Sequence, residues 1–213
     1  MTYYTTLVKF FQDGGVFMYP ITLVLAAGLA VAIERFIYLS RSRSRNRKLW
    51  DEVLPLLKSG KYQQVMGITA NSDTAIGKIL NYGINRVKTA RRREDIEAAM
   101  EEGLMEVIPR LERRTHYLAT LANVVTLMGL LGTIIGLIKA FTAVANVDPA
   151  TKAELLSASI SIAMNATAFG LVVAIPFLLI YAFLQARTTE IITSLETASV
   201  KFLNLVERKS DAA

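Results

Sequence analysis

Three long apolar stretches, each bounded by charged residues, are the strongest pattern in the chain. They cover residues 16–39, 117–147 and 155–186, and the last two contain one charged residue between them, Lys139. About 20 predominantly apolar residues in a helix cross the hydrocarbon core of a bilayer. The pattern therefore predicts an all-α integral membrane protein with transmembrane helices at 16–39, 117–145 and 155–186.

The basic residues beside the spans predict how the chain is oriented. The run RSRSRNRK at 41–48 follows the first span, and three arginines precede the second. Because basic residues concentrate on the cytoplasmic side, we expect a cytoplasmic helical domain at 40–116 and a cytoplasmic C-terminal helix at 187–213. Residues 1–15 then form an interfacial helix and 146–154 form a loop on the outer side of the membrane, which is the periplasmic side for the bacterial inner membrane that the family resemblance below implies. Beside a span, orientation and lipid headgroups explain the basic run better than nucleic acid does.

The segment between the first two spans reads as a series of helices with no strand-like alternation. Gly60 is expected to end the first of them, because glycine is favoured directly after a helix. A helical stripe of apolar residues at 96–111 leads into the second span, which predicts one continuous helix with Pro109 as a site for a kink. At the cytoplasmic end of the first span, Glu34 and Arg35 are expected to be interfacial anchors that extend toward water.

Composition removes most enzyme chemistry. Of the 213 residues, 20 % are charged, whereas a soluble domain carries about a quarter. The chain has no cysteine and one histidine, His116. A disulfide framework, a thiolate zinc site, an iron–sulfur cluster and a two-histidine metal centre are therefore excluded. Since the spans also lack a nucleophile–base pair and a phosphate-binding loop, we expect no enzyme activity and no cofactor or metal.

Small residues recur along the second and third spans at spacings of 4, 3 and 4, with a threonine in each set. Such spacings put residues on one face of a helix, and faces of small residues let membrane helices pack closely. The predicted packing residues are Gly129, Gly136 and Ala140 in the second span and Ala163, Gly170 and Ala174 in the third.

The threonines of these two faces lie at a common depth. Thr133 stands 15 residues before Asp148, and Thr167 stands 13 residues after Glu154. At 1.5 Å per residue, each hydroxyl is about 20 Å from the outer end of its helix. Both are therefore candidates for a polar site near the middle of the membrane.

A second polar row, with Ser161 and Asn165, runs along another face of the third span toward the same depth. Polar rows in membrane helices usually face protein or water. No ionisable acid or base lies at this depth, and hydroxyls and amides do not hold a proton near neutral pH. If the chain conducts protons, another chain brings the titrating group. Thr120, Thr126 and Thr142 either extend a cation path or bond back to their own helices.

Two segments resemble a known pair of motifs. GLLGTIIGLIKAF at 129–141 and MNATAFGLVVAIP at 164–176 resemble the paired signature of the TolQ/ExbB/MotA proton-channel family, and 14–36 resembles the first span of its three-span ExbB and TolQ branch. The resemblance implies a homopentamer whose second and third spans line a pore around an ExbD- or TolR-like protein with an intramembrane aspartate. It also implies coupling to a TonB- or TolA-like protein, and it assigns the pore threonines to Thr133 and Thr167.

The sequence departs from this pattern at Ile162, where many ExbB and TolQ members have a glutamate five residues before the threonine. We hypothesise that Asn165 and Ser161 hold water there instead. The function predicted is an ion channel subunit, for protons first, of a bacterial inner-membrane motor driven by the proton motive force. The alternative is a non-conducting scaffold that clusters a single-span partner. Hydroxyls and amides serve H⁺ and Na⁺ alike, so the ion stays open.

Overall fold

The structure, a computed structural model, describes residues 14–87, 89–90, 92–145 and 147–210. Within these ranges the chain forms α1 (Met18–Ser59), α2 (Tyr62–Ala70), α3 (Ala75–Val87), α4 (Arg93–Glu112), α5 (Thr115–Ala145) and α6 (Pro149–Ser210). The same ranges contain no β-strand. The predicted all-α fold is therefore confirmed.

Three helical stretches are long and apolar enough to cross a membrane, by length and composition. They are Met18–Ser59, Arg93–Ala145, which includes α4 and α5, and Thr151–Arg208. Only 22 %, 22 % and 28 % of their most apolar windows are buried within the chain. Most of this apolar surface is thus left for lipid or for further protein chains, and the predicted number of spans is confirmed.

The last helix begins earlier than the apolar pattern predicts. Residues 149–154, expected in a periplasmic loop, are helical, because α6 begins at Pro149 and continues unbroken to Ser210. Proline suits the first turn of a helix, where its missing N–H has no partner to lose. The N–H of Thr151 donates to the Asp148 carbonyl at 3.0 Å and closes this turn. The predicted interfacial helix at 1–15 falls almost entirely outside the described residues.

The predicted continuous helix leading into the second span is wrong. The chain breaks between α4 and α5, and Arg114 adopts a left-handed φ of 66°. In an unbroken helix the Leu111 carbonyl would accept the N–H of Thr115, but here it accepts an N–H of the Arg35 guanidinium. Arg35 is only 2 % exposed. Its predicted role as an anchor reaching toward water is therefore also wrong, because its charge is used to cap α4 inside the protein.

Contacts divide the chain into two units, which we call the apolar unit (14–33 and Arg114–Ala182) and the charged unit (Glu34–Arg113 and 183–210). In the apolar unit, α1 packs on α6 at Gly28, which has no side chain. A Cβ on Gly28 would overlap the ring of Phe177. The core around this contact consists of Ile21, Ala122, Val125, Val173, Ala174 and Phe177.

In the charged unit, larger side chains hold the helices together. A Cβ on Gly83 of α3 would lie 2.9 Å from both Met100 of α4 and Phe202 of α6, so three helices meet there. The predicted end of the first helix is confirmed at Gly60, whose φ is 73°. Its N–H donates to the Leu57 carbonyl at 3.0 Å, as in a glycine-terminated helix.

Candidate functional site

The small-residue faces of α5 and α6 lie against each other within the apolar unit. A Cβ on Gly129 would lie 3.1 Å from the Cα of Thr167, and one on Gly170 would lie 3.3 Å from the Cα of Gly129. A Cβ on Gly136 would lie 2.6 Å from the Cβ of Ala163. The helices therefore meet backbone to backbone, without room for larger side chains.

The alanines of the two predicted faces are buried as well. Ala140, Ala163 and Ala174 are 0 %, 1 % and 2 % exposed. Gly132 belongs to the same surface, since a Cβ there would lie 2.9 Å from the Cβ of Ala166. The three alanines and Gly132 thus lie inside the apolar unit. The contribution of this surface to ion movement stays a prediction.

Thr133 and Thr167 lie side by side in this contact, and their hydroxyls are hydrogen-bonded to each other. The Thr167 hydroxyl also donates to the Gly129 carbonyl at 2.9 Å. The Thr133 hydroxyl is 3.3 Å from the carbonyls of Gly129 and Ala163. Both side chains are half-buried, so the pair is neither sealed in the core nor fully exposed.

The threonine pair has few donors and several acceptors. Each hydroxyl carries one hydrogen and two lone pairs. When Thr133 donates to Thr167 and Thr167 donates to Gly129, both hydrogens are used within the chain and lone pairs remain. The pair can then accept a hydrogen bond from an incoming group. Rotation of either hydroxyl would instead present a donor to it.

Ser161 and Asn165 are placed differently from the threonines. Ser161 is exposed and Asn165 is half-buried. Across the described part of the chain, neither side chain has a hydrogen-bond partner. A polar side chain of a membrane helix needs such a partner, so these two are free to bond water or another chain.

Thr120, Thr126 and Thr142 each bond back to their own helix. Their hydroxyls donate to the carbonyls four residues earlier, at 3.3, 2.9 and 2.8 Å respectively. Their only hydrogen is therefore used locally. The two threonines that bond across helices differ from these three in structure as well as in position.

The described part of the apolar unit has no carboxylate near the threonine pair. Its only acids are Asp148 and Glu154, and the nearer in sequence to Thr167, Glu154, is 13 residues or about 20 Å away along α6. Ile162 is 42 % exposed and supplies no titrating group. Nor do the described residues contain a group of acids, histidines or cysteines that could hold a metal ion.

One contact in this unit joins two residues that no sequence pattern related. The Tyr181 hydroxyl lies 3.5 Å from Nδ1 of His116, and the two ring centroids are 6.1 Å apart. These residues are 65 positions apart on different helices. Helix periodicity relates residues within one helix only, so no local signal could have paired them.

A comparison with known protein families bears on this arrangement. Residues 71–197, which include α5, the threonine pair and most of α6, match the sequence model of the MotA/TolQ/ExbB proton channel family. The chain belongs to this family. The resemblance seen in the two span motifs is thereby confirmed, and the family member is a membrane protein of a transport-associated channel class.

Individual relatives of this family member align over most of its length. An ExbB homolog of Methanothermobacter thermautotrophicus is 27 % identical over 198 residues, which is 92 % of this chain and 69 % of the relative. An ExbB-like protein of Synechocystis is 29 % identical over 78 % of this chain and 79 % of its own. The Tol-Pal system protein TolQ of Pseudomonas aeruginosa is 28 % identical over 70 % of this chain and 67 % of its own.

Proposed function

We propose that the chain is the ion channel subunit of an ExbB- or TolQ-like motor that uses the proton motive force to drive transport or envelope work. The observation that carries this proposal is the Thr133 and Thr167 pair, hydrogen-bonded across two apolar helices in a unit whose described part has no acid near the pair. A proton path needs a group that takes up and releases protons. The acid is therefore expected from an ExbD- or TolR-like partner with one span and an intramembrane aspartate.

In the proposed setting, the chain lies in the inner membrane of a bacterium. The N-terminus and the turn before α6 face the periplasm, and 40–116 and 187–213 face the cytoplasm. The basic residues that flank the spans support this orientation. A TonB- or TolA-like protein would carry the motion to the outer envelope.

We further propose a homopentamer in which α5 and α6 line a pore around the partner helix. Two features of the single chain support an assembly. Most of the apolar surface of its spans is left uncovered, and Ser161 and Asn165 lack partners within the described residues. Polar groups without partners are costly in lipid, so we expect the row to face water or the partner.

The threonine pair would follow the partner aspartate through both of its protonation states. A protonated aspartate donates its O–H to a threonine oxygen. An ionised aspartate accepts from a threonine hydroxyl that has rotated away from its intrachain acceptor. The protonated state adds a hydrogen bond to a free lone pair of the threonines, and the ionised state replaces a neutral intrachain hydrogen bond with a charge-assisted one, worth about 1.5–3 kcal/mol. The pair thereby stabilises both states without holding a charge of its own.

The driving force is large enough to move helices that pack in this way. One elementary charge crossing the membrane releases about 2.3 kcal/mol per 100 mV. Hydrogen-bonded contacts between membrane helices contribute about 1 kcal/mol each. A few ions per step can therefore exceed the free energy of the contacts that a turning partner helix would break.

The test is ion flux through the purified complex of the chain and its co-purified partner, reconstituted in proteoliposomes. Thr133→Val and Thr167→Val keep the shape but remove the hydroxyl. We expect each to lower proton flux about tenfold or more, because the partner carboxyl loses one hydrogen bond. Thr126→Val is the matched control, since this hydroxyl bonds only to its own helix and its removal should leave flux unchanged.

The complex is also weighed intact by native mass spectrometry. Unchanged flux in Thr133→Val and Thr167→Val complexes of normal mass would contradict the proposal. Loss of assembly in these variants would make the threonines packing residues. If the unmodified complex holds an aspartate-bearing partner and conducts no ions, the chain is the non-conducting scaffold.

A further inference from the structure

The arginines of the basic run 41–48 fall on two sides of α1 within the charged unit. Arg43 pairs with Glu190 at 2.5 Å, and Arg47 pairs with Asp51 at 3.9 Å. Arg41 and Arg45 are spaced one turn apart on another side, and neither has an ion-pair partner in the described chain. The run thus divides into one paired set and one unpaired set of arginines.

The unpaired set lines a cavity of about 450 Å³ in the charged unit. This size is within the range of small-molecule sites. One wall is fixed by Asn46, which is only 6 % exposed. The Asn46 side chain accepts the N–H of Ile76 at 3.1 Å and donates to the Ser42 hydroxyl at 3.3 Å. Because Asn46 ties α1 to the start of α3, the cavity has a defined shape.

The positive charge available in this cavity belongs to Arg41 and Arg45. The lining also contains Lys78 and Arg110, but both lie against Glu106, at 3.6 and 2.9 Å. Two carboxylates, Glu34 and Asp73, complete the charged part of the lining. The two unpaired arginines are one helical turn apart, so one anionic group can bond both of them.

The cavity also has an apolar side. Ile37 and Tyr38 belong to its lining and are 43 % and 39 % exposed. They precede Arg41 on α1 by about one turn, and the predicted first span ends at Leu39. The ligand that matches this order has an apolar body followed by an anionic head.

We propose that the cavity binds the phosphate headgroup of an anionic phospholipid, with Arg41 and Arg45 as its ligands. The ligand chemistry is that of a phosphate group, which arginine binds with well-oriented hydrogen bonds. The apolar lining selects the lipid over free phosphate. The site goes beyond the proposed channel function, and its occupancy does not require ion flow.

The test measures binding to the full chain, purified and delipidated in neutral detergent, by native mass spectrometry. The probes are dioctanoyl phosphatidylglycerol, dioctanoyl phosphatidylcholine and inorganic phosphate. We expect one saturable phosphatidylglycerol site per chain, with weaker binding of phosphatidylcholine and of phosphate. Arg41→Gln with Arg45→Gln should weaken phosphatidylglycerol binding about 30-fold, the effect of losing two cations beside a lipid phosphate.

The matched control is Arg43→Gln with Arg47→Gln, which removes the same charge from the same run. This variant should bind phosphatidylglycerol within about twofold of the unmodified chain. An equal loss in both double variants would overturn the proposal in favour of diffuse charge attraction. Inorganic phosphate binding as tightly as phosphatidylglycerol would overturn the lipid assignment. Because Arg41 and Arg45 are exposed and unpaired, their variants should keep the fold, which circular dichroism checks.

Discussion

The contact between α5 and α6 in the apolar unit and the three-helix contact at Gly83 in the charged unit are built from different materials. In the apolar unit, a Cβ on Gly129 would approach the backbone of Thr167. In the charged unit, a Cβ on Gly83 would approach the side chains of Met100 and Phe202. Lipid gives no hydrophobic drive for helix association, so close approach and hydrogen bonds supply it, whereas in water burial of large side chains does. Replacing a glycine by alanine should therefore cost more stability where the new methyl group meets backbone than where it meets side chains that can rotate away.

The largest expected effect is a substitution at the backbone contact of the apolar unit. Gly129→Ala should lower stability by about 1–3 kcal/mol, because the backbone of α6 cannot yield to the new methyl group. Gly83→Ala should cost less, since side chains can rotate away from it. Gly67→Ala is the control, with nothing within 4 Å of its Cβ, and should stabilise α2 by about 0.5–1 kcal/mol.

These three variants are compared by thermal unfolding of the purified chain in one detergent. The order of stability expected is Gly67→Ala, then Gly83→Ala, then Gly129→Ala. A Gly129→Ala protein as stable as the Gly83→Ala protein would show that the two contacts do not differ as described. Native mass spectrometry of the same samples reports whether the assembly is lost with the stability.

The next effect concerns the buried charge of the charged unit. Arg35 donates to the Leu111 carbonyl at the end of α4, and its guanidinium lies 4.7 Å from the ring centroid of Tyr38. Arg35→Met removes the donor and leaves a helix-end carbonyl unpaired, which should cost about 1–3 kcal/mol. Arg35→Lys keeps the charge near the helix end and should recover part of this. Chemical unfolding monitored by circular dichroism checks both, and an Arg35→Met protein of normal stability would exclude the cap.

The sequence was sufficient for features that depend on local pattern. Helical periodicity and the runs of apolar residues predicted the three spans and the all-α fold, and Gly60 marked a helix end. The depth calculation put Thr133 and Thr167 at one level, and the structure joins them by a hydrogen bond. Their part in ion conduction stays a prediction.

Features that depend on distant partners could not be predicted. The break between α4 and α5 involves Arg35 and Leu111, which are 76 residues apart. Tyr181 and His116, which are also in contact, are 65 residues apart in the sequence. No local pattern tells whether a carbonyl will accept the next turn of its own helix or a side chain from elsewhere. The early start of α6 was missed because polar residues after Pro149 resemble a loop, although they extend the helix.

A smaller effect is expected from ion pairs on the surface of the charged unit. Arg93 and Glu207 are 2.6 Å apart, but their side chains are 42 % and 44 % exposed. Glu207→Gln should cost less than about 1 kcal/mol, and the loss should disappear in high salt. The reversed pair, Arg93→Glu with Glu207→Arg, should recover the stability. Unfolding at low and high salt checks this, and a salt-independent loss would speak against a surface ion pair.

The smallest effect expected appears only in alkali. The Tyr82 hydroxyl donates to Glu106 at 3.1 Å, and this hydrogen bond, with the negative charge of Glu106, raises the pKa of Tyr82. A raised pKa in the folded protein adds stability below the unfolded value, about 10, that is lost as pH rises through the folded value. Tyr82→Phe lacks this contribution, so its deficit against the unmodified protein should be constant below about pH 9 and shrink above about pH 10.

Tyr62, whose pKa is raised by burial, is present in both proteins and cancels from their difference. Unfolding free energies of the unmodified and Tyr82→Phe proteins are therefore compared at each pH from about 8 to about 11. A difference that stays constant across this range would show that the Glu106 carboxylate does not hold the tyrosine proton. A shrinking difference would show that the Glu106 carboxylate holds the Tyr82 proton, so that the hydrogen bond between α3 and α4 loses its contribution to stability in alkali.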